Sequence, residues 1–153
     1  MLKEPIPGEV KTRLGKDIGM TKAAWWFRHN ALNLIKHLSA EATWETILAV
    51  SPDKEGMDSR IWPNGLLRWP QGSGDLGERM GNIFRNAQKG PIVIIGADIP
   101  NIKVQYIKDA FDALVNNDVV IGPAYDGGYW LIGMKRRSKS IPVSYTHLRA
   151  HET

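Results

Sequence analysis

The chain contains no cysteine, which removes disulfides, thiolate nucleophiles and thiolate metal ligands and is compatible with a reducing compartment. No apolar run approaches the roughly 20 residues that a membrane-spanning helix needs, and the amino-terminal residues lack the pattern of a secretory signal. A cytoplasmic protein with no membrane span is the expectation. Charge of one sign is also scarce: 20 Lys and Arg against 16 Asp and Glu leave a formal net charge of +4. Lys135, Arg136, Arg137 and Lys139 make the one tight basic cluster. No aromatic residues are interleaved with it, so it reads as a solvated segment and nucleic acid is not an expected partner. The Walker A spacing fails at both candidate glycines. Arg13 stands where a second glycine should follow Gly8, and Gly15-Lys16 runs into Asp17. His29 and His37 have no second metal ligand nearby, no local spacing supports a Ser-His-Asp triad, and there is no internal repeat.

What is present suits one α/β domain with a real core: 153 residues, 42% hydrophobic and 24% charged. Residues 3–16 read as a loop, stiffened by Pro5 and Pro7 and dense in cations. A helix is expected over Thr21–Leu38, with Ala24, Phe27, Ala31, Leu34, Ile35 and Leu38 on one face and Thr21 as its cap. The adjacent Trp25-Trp26 reads as packing, with a stacking platform as the alternative. Thr43–Val50 suits a strand. Residues 54–75 lack a clear period and read as loop with a short strand near Leu66–Trp69. Leu76–Gln88 is helical and Gly90-Pro91 stops it. A strand at 92–96, a helix at 102–116, a strand at 118–122 and a further strand or turn at Tyr129–Met134 complete the chain. This alternation, with near-continuous apolar strands, predicts a parallel sheet covered by helices.

Two strand tips stand out. Ile92–Ile95 leads into Gly96-Ala97-Asp98-Ile99-Pro100, and Val119–Ile121 leads through Gly122-Pro123 to Asp126-Gly127-Gly128-Tyr129. Open α/β sheets hold ligands just past the carboxyl ends of their strands, and glycine there permits close approach to the backbone. Lys3, Lys11, Arg13 and Lys16 could meet phosphate oxygens, arginine bidentately, or form a solvated surface loop. Gly72-Ser-Gly74-Asp-Leu-Gly77 matches the dinucleotide pattern, with Asp98 about 20 residues further on. The match fails at its front, where Arg68-Trp69-Pro70-Gln71 is a poor buried strand.

The segments KEPIPGEVKTRLG at 3–15, PQGSGDLGERM at 70–80, GPIVIIGADIP at 90–100 and GPAYDGGYWLIG at 122–133 carry a resemblance. In this order, covering most of residues 3–134, the set resembles a bacterial family of glycosyltransferases with the GT-A fold. That family is close to the guanylyltransferases of molybdenum-cofactor and 2-phospholactate biosynthesis, and some members are assigned to arsenosugar biosynthesis. The resemblance implies a Rossmann-like nucleotide-diphospho-sugar transferase, a three-layer α/β sandwich on a mostly parallel sheet. It implies a nucleotide-sugar or nucleotide triphosphate as substrate, a small-molecule hydroxyl acceptor, and a divalent metal, Mg²⁺ or Mn²⁺. By its motifs Lys11 and Arg13 would bind phosphate, and Gln71, Gly72, Asp75 and Arg79 would line the base or ribose pocket. Asp98 would hold the metal against the diphosphate, and Asp126, Gly127, Gly128 and Tyr129 would serve the acceptor or sugar side. The residues alone leave alternatives: Asp98 as a turn former, and Asp126 as a general base or merely a hydrogen-bonding carboxylate.

The chain also departs from the family. Members usually have a complete buried strand before the Lys-x-Pro-x-Pro-Gly motif, where only Met1-Leu2 stand here, and they continue past Met134 with further strands and a helix. Val143–Thr153 (VSYTHLRAHET) resembles translated adapter sequence. The expectation is one transferase domain over 1–142, incomplete at both ends, with 143–153 outside it. The expected activity is metal-dependent glycosyl transfer. The alternatives are nucleotidyl transfer releasing pyrophosphate, and nucleotide binding without turnover.

Overall fold

The computed structural model describes residues 1–87 and 90–135. The basic residues beyond Lys135, the expected helix end at Gln88 and the 143–153 segment lie outside them. The chain forms two compact units, Met1–Pro70 with Ala97–Ile102, and Gln71–Gly96 with the described residues from Lys103. No helix among the described residues is long and apolar enough to cross a membrane.

The first unit is built on a parallel sheet in the order β1-β2-β3, comprising β1 (Leu2–Lys3), β2 (Ile47–Ser51) and β3 (Leu67–Pro70). Leu2 pairs with Val50, and Ile47 with Leu67. The central strand β2 is buried from Leu48 onward, as its unbroken apolar run requires. It begins at Ile47 rather than at Thr43. The residues before it serve another purpose: the Trp44 indole and Thr46 hydroxyl donate to the Leu38 carbonyl at 3.0 and 3.4 Å, closing the end of the preceding helix.

That helix, α2 (Met20–Ser39), buries Ala24, Phe27, Ala31, Leu34, Ile35 and Leu38, the face set by their spacing. Thr21 is not its cap. Gly19 precedes the first turn with φ 94°, and no side chain caps it. The expected loop at 3–16 is also shorter than read, because α1 (Thr12–Ile18) contains Arg13, Gly15 and Lys16. The prolines break regular structure only up to Gly8, and no breaker follows until Gly19 apart from Gly15, which is buried against Met20. A further helix, α3 (Asp53–Asp58), occupies part of the expected 54–75 loop. Asp53 and Glu55 in its first turn suit the positive end of the helix dipole. Gly56 disguises the helix in the sequence but makes it possible: a Cβ there would stand 2.5 Å from Val50 Cβ, so α3 can lie on β2 only without one.

The second unit contains α4 (Leu76–Asn86), β4 (Ile92–Ile95), α5 (Val104–Ala113), β5 (Val119–Pro123) and β6 (Tyr129–Met134). Its strand order is β4-β6-β5, and β6 is antiparallel to both neighbours. The expectation of a mostly parallel sheet therefore holds for the first sheet and fails for the second. A short connection such as Ala124–Gly128 can join only antiparallel neighbours. Tyr129–Met134, read as a strand or a turn, thus takes the middle of the sheet, with Leu131–Met134 buried.

Candidate functional site

The loop after β1 leaves the sheet in a defined way. The Glu4 amide donates to the Ser51 carbonyl at 2.8 Å, extending the β1–β2 pairing. Amides of Ile6 and Glu9 then donate to the Glu4 and Ile6 carbonyls at 2.8 and 3.0 Å, and Lys3 Nζ donates to the Glu9 carbonyl at 2.8 Å. The Glu4 side chain is buried and accepts the indole N–H of the fully buried Trp62 at 2.8 Å. Trp62 is itself held by Arg68 of β3. The guanidinium donates to the carbonyls of Gly56, Met57, Ser59 and Trp62 at 2.8–3.1 Å, fastening the 56–62 segment. Neither Trp62 nor Arg68 was singled out by sequence motifs, since each acts through backbone or loop contacts that no spacing rule encodes.

The Ala97–Ile102 segment belongs to the same unit and carries the first aspartate tip. Asn30, on α2, donates from Nδ2 to the Ala97 carbonyl at 3.2 Å and the Ile99 carbonyl at 3.3 Å. Lys11 Nζ donates to the carbonyl of Asp98 between them at 3.4 Å. Three adjacent carbonyls thus accept from side chains. Lys11 is placed by its backbone, which adopts the left-handed region (φ 49°, ψ 46°) as it enters α1, and its ammonium lies 5.0 Å from the centre of the Trp26 ring. The Asp98 residue is exposed. Burial pushes the Met1 amino group down from 8.0 to about 6, while the Asp98 charge pulls it the other way.

The structure therefore brings Lys11 and Asp98 together. Arg13 is exposed on α1, and among the described residues no hydrogen bond or ion pair joins it to Asp98. The tryptophan pair divides: Trp26 is half-buried, whereas Trp25 is 62% exposed, with its ring 4.1 Å from that of His29, so packing does not account for it. Asn30 belongs to no sequence motif. The available signal was a polar residue beside Phe27, Ala31 and Leu34 on the apolar face of α2.

Among the described residues no group of three or more His, Cys, Asp or Glu side chains could hold a metal ion. A single exposed carboxylate such as that of Asp98 would be compatible with one mode of divalent binding. Mg²⁺ commonly takes one or two carboxylates and completes its shell with substrate phosphates and water.

The remaining candidate residues lie in the second unit. Asp75 caps α4, its Oδ1 accepting the Glu78 amide at 2.8 Å. Arg79 Nε donates to the Gly74 carbonyl at 3.0 Å, Gly72 has φ 81°, and Gln71 is buried. The strand ahead of Gly72 is β3, an edge strand with exposed and half-buried residues, not the buried strand that a dinucleotide fingerprint needs. Asp126 Oδ1 accepts the Gly128 amide at 2.9 Å, forming an Asx turn in the β5–β6 connection. Gly127 is in the left-handed region (φ 85°) and Tyr129 opens β6.

These features define an α/β protein whose fold matches that of a solved structure from Desulfovibrio desulfuricans G20, described as a "putative nucleotide-diphospho-sugar transferase". The TM-score is 0.81 at 32% sequence identity, over 99% of this chain and 68% of that one. The chain belongs to the bacterial family described as "Uncharacterized protein conserved in bacteria (DUF2064)", whose model matches residues 34–144. It is also similar to the 2-phospho-L-lactate guanylyltransferase of Methanocaldococcus jannaschii, with 26% identity over 139 residues, 89% of this chain. The chain spans 58% of that protein's length.

Proposed function

We propose that the protein is a metal-dependent glycosyltransferase of the GT-A type, with a three-layer sandwich, moving a sugar from a nucleotide-sugar donor to a small hydroxyl acceptor. The observation that carries this reading is the Lys11 ammonium on the backbone carbonyl of Asp98, which keeps a cation beside an exposed aspartate within one unit. A departing nucleoside diphosphate gains negative charge as the bond to the sugar breaks. Lys11 would bind its oxygens and stabilise that charge, and Arg13, close by in sequence, could add a bidentate contact. Asp98 would hold Mg²⁺ or Mn²⁺, which when bound neutralises the diphosphate. In the second unit, Gln71, Gly72, Asp75 and Arg79 are assigned to base or ribose binding, and Gly127, Gly128 and Tyr129 to the acceptor or sugar. Asp126 would accept the acceptor hydroxyl proton or orient that hydroxyl. Its bond to Gly128 supports a fixed carboxylate orientation in either role.

A second reading has its own support. The guanylyltransferase relative favours nucleotidyl transfer, in which a phosphorylated substrate attacks a nucleotide triphosphate and pyrophosphate leaves. Incubation with Mn²⁺ and nucleotide sugars, or with nucleotide triphosphates, followed by assay of nucleoside diphosphate and pyrophosphate, separates the two. Nucleoside diphosphate released together with transferred sugar is expected. Pyrophosphate without sugar transfer would overturn the glycosyl reading in favour of the second.

A further inference from the structure

We infer that Asn30 is a positioning residue for the Asp98 site. Its carboxamide, carried on α2, restrains the backbone from which the Asp98 carboxylate projects. The inference rests on the metal–diphosphate reading proposed above.

A carboxamide nitrogen has two hydrogens, so one Nδ2 can serve two acceptors at once. Here the acceptors are the carbonyls of Ala97 and Ile99, at 3.2 and 3.3 Å. They belong to the residues on either side of Asp98. Fixing both restrains the chain around the Asp98 Cα and with it the Cα–Cβ direction. The anchor is rigid: Asn30 sits half-buried on α2, whose Phe27, Ala31 and Leu34 are buried. Asparagine is a poor residue for a helix interior, because its side chain competes for backbone partners. At this position the carboxamide finds such partners in another segment.

The contact from Lys11 to the Asp98 carbonyl is the longest of the three, at 3.4 Å. An ammonium that turns toward a charged phosphate gains a stronger partner than a backbone carbonyl. Asn30 has no charge to offer a phosphate and stays with the loop. The two side chains therefore divide the work: Lys11 exchanges partners when an anion arrives, while Asn30 keeps the tip in place. Partners that orient a metal ligand typically alter metal affinity by about 10–100-fold when removed.

The test measures binding of GDP, UDP, ADP and CDP by calorimetry, with and without Mn²⁺, in wild type, Asn30→Leu and Asp98→Asn, alongside thermal unfolding. Bound Mn²⁺ is followed independently by electron paramagnetic resonance. Asn30→Leu keeps the branched shape of the side chain and deletes the donor. Its expected effect is an about 10–100-fold loss of the enhancement that Mn²⁺ gives to nucleotide affinity, with metal-free affinity unchanged. A purely structural role would lower both affinities together, or only the melting temperature, and either result overturns the inference. If Asp98→Asn loses the enhancement and Asn30→Leu retains it within about twofold, the positioning role alone fails. If Asp98→Asn matches wild type, or wild type shows no enhancement, the metal reading fails and the inference with it. Should Asn30→Leu not fold, Asn30→Ser carries the same comparison.

Discussion

Glu4 and Trp62 show how a single bond can hold the loop that carries the cations. The carboxylate is buried, and the indole N–H reaches it at 2.8 Å. Trp62→Phe keeps most of the ring but leaves a buried acceptor without this donor. It should destabilise the protein by about 1–3 kcal/mol in urea unfolding, and an unchanged midpoint would show that Glu4 finds another partner. Lys11→Met addresses binding instead. If Lys11 binds a nucleoside diphosphate as proposed, the substitution should weaken affinity by about 1.5–3 kcal/mol in calorimetry, and the melting temperature should stay close to wild type. Lys11 and Asp98 drew attention in the sequence as a cation in a Pro-Gly loop and a carboxylate past an apolar strand, and the structure brings the Lys11 ammonium to the Asp98 carbonyl. Asn30, Trp62 and Arg68 were not legible there, because their roles depend on partners 58 to 69 positions away or on several carbonyls converging on one guanidinium.

At the level of elements, α3 depends on the missing side chain of Gly56. Ala at this position would drive a methyl group into Val50 and toward the Ser51 amide. Gly56→Ala should cost about 1–3 kcal/mol through overpacking, despite alanine's better helix propensity, and a stability gain in denaturant titration would refute the close approach. The periodicity of α2 and α4 was readable because an apolar stripe must repeat with the helical turn. Helix α1 was hidden by Gly15 and the neighbouring prolines. The direction of β6 is not encoded in its residues, because an apolar hexapeptide has the same composition whichever way it runs. Its direction was implicit in the short Ala124–Gly128 connection, which admits no crossover.

For the whole molecule, the α/β class followed from alternating elements, and the parallel β1-β2-β3 sheet agrees with it. The second sheet departs from it, because one hairpin strand inserts between β4 and β5. Ligand linkage offers a test at the scale of the whole chain. Mn²⁺ with a bound nucleoside diphosphate at about 100 times its Kd should add about 2.7 kcal/mol to stability. Chelation should return the melting temperature toward that of nucleotide alone, and Asp98→Asn should show no metal-dependent increment. Equal metal-dependent stabilisation of wild type and variant would remove Asp98 as the ligand.

The three carbonyls at 97–99 have an electrostatic consequence for any polyanion. Left bare, adjacent C=O dipoles would turn their negative ends toward an incoming phosphate and repel it. Here the Ala97 and Ile99 oxygens already accept N–H groups from Asn30, and the Asp98 oxygen accepts from Lys11 until an anion draws that ammonium away. The tip is thereby less hostile to negative charge than its backbone and its aspartate alone would make it.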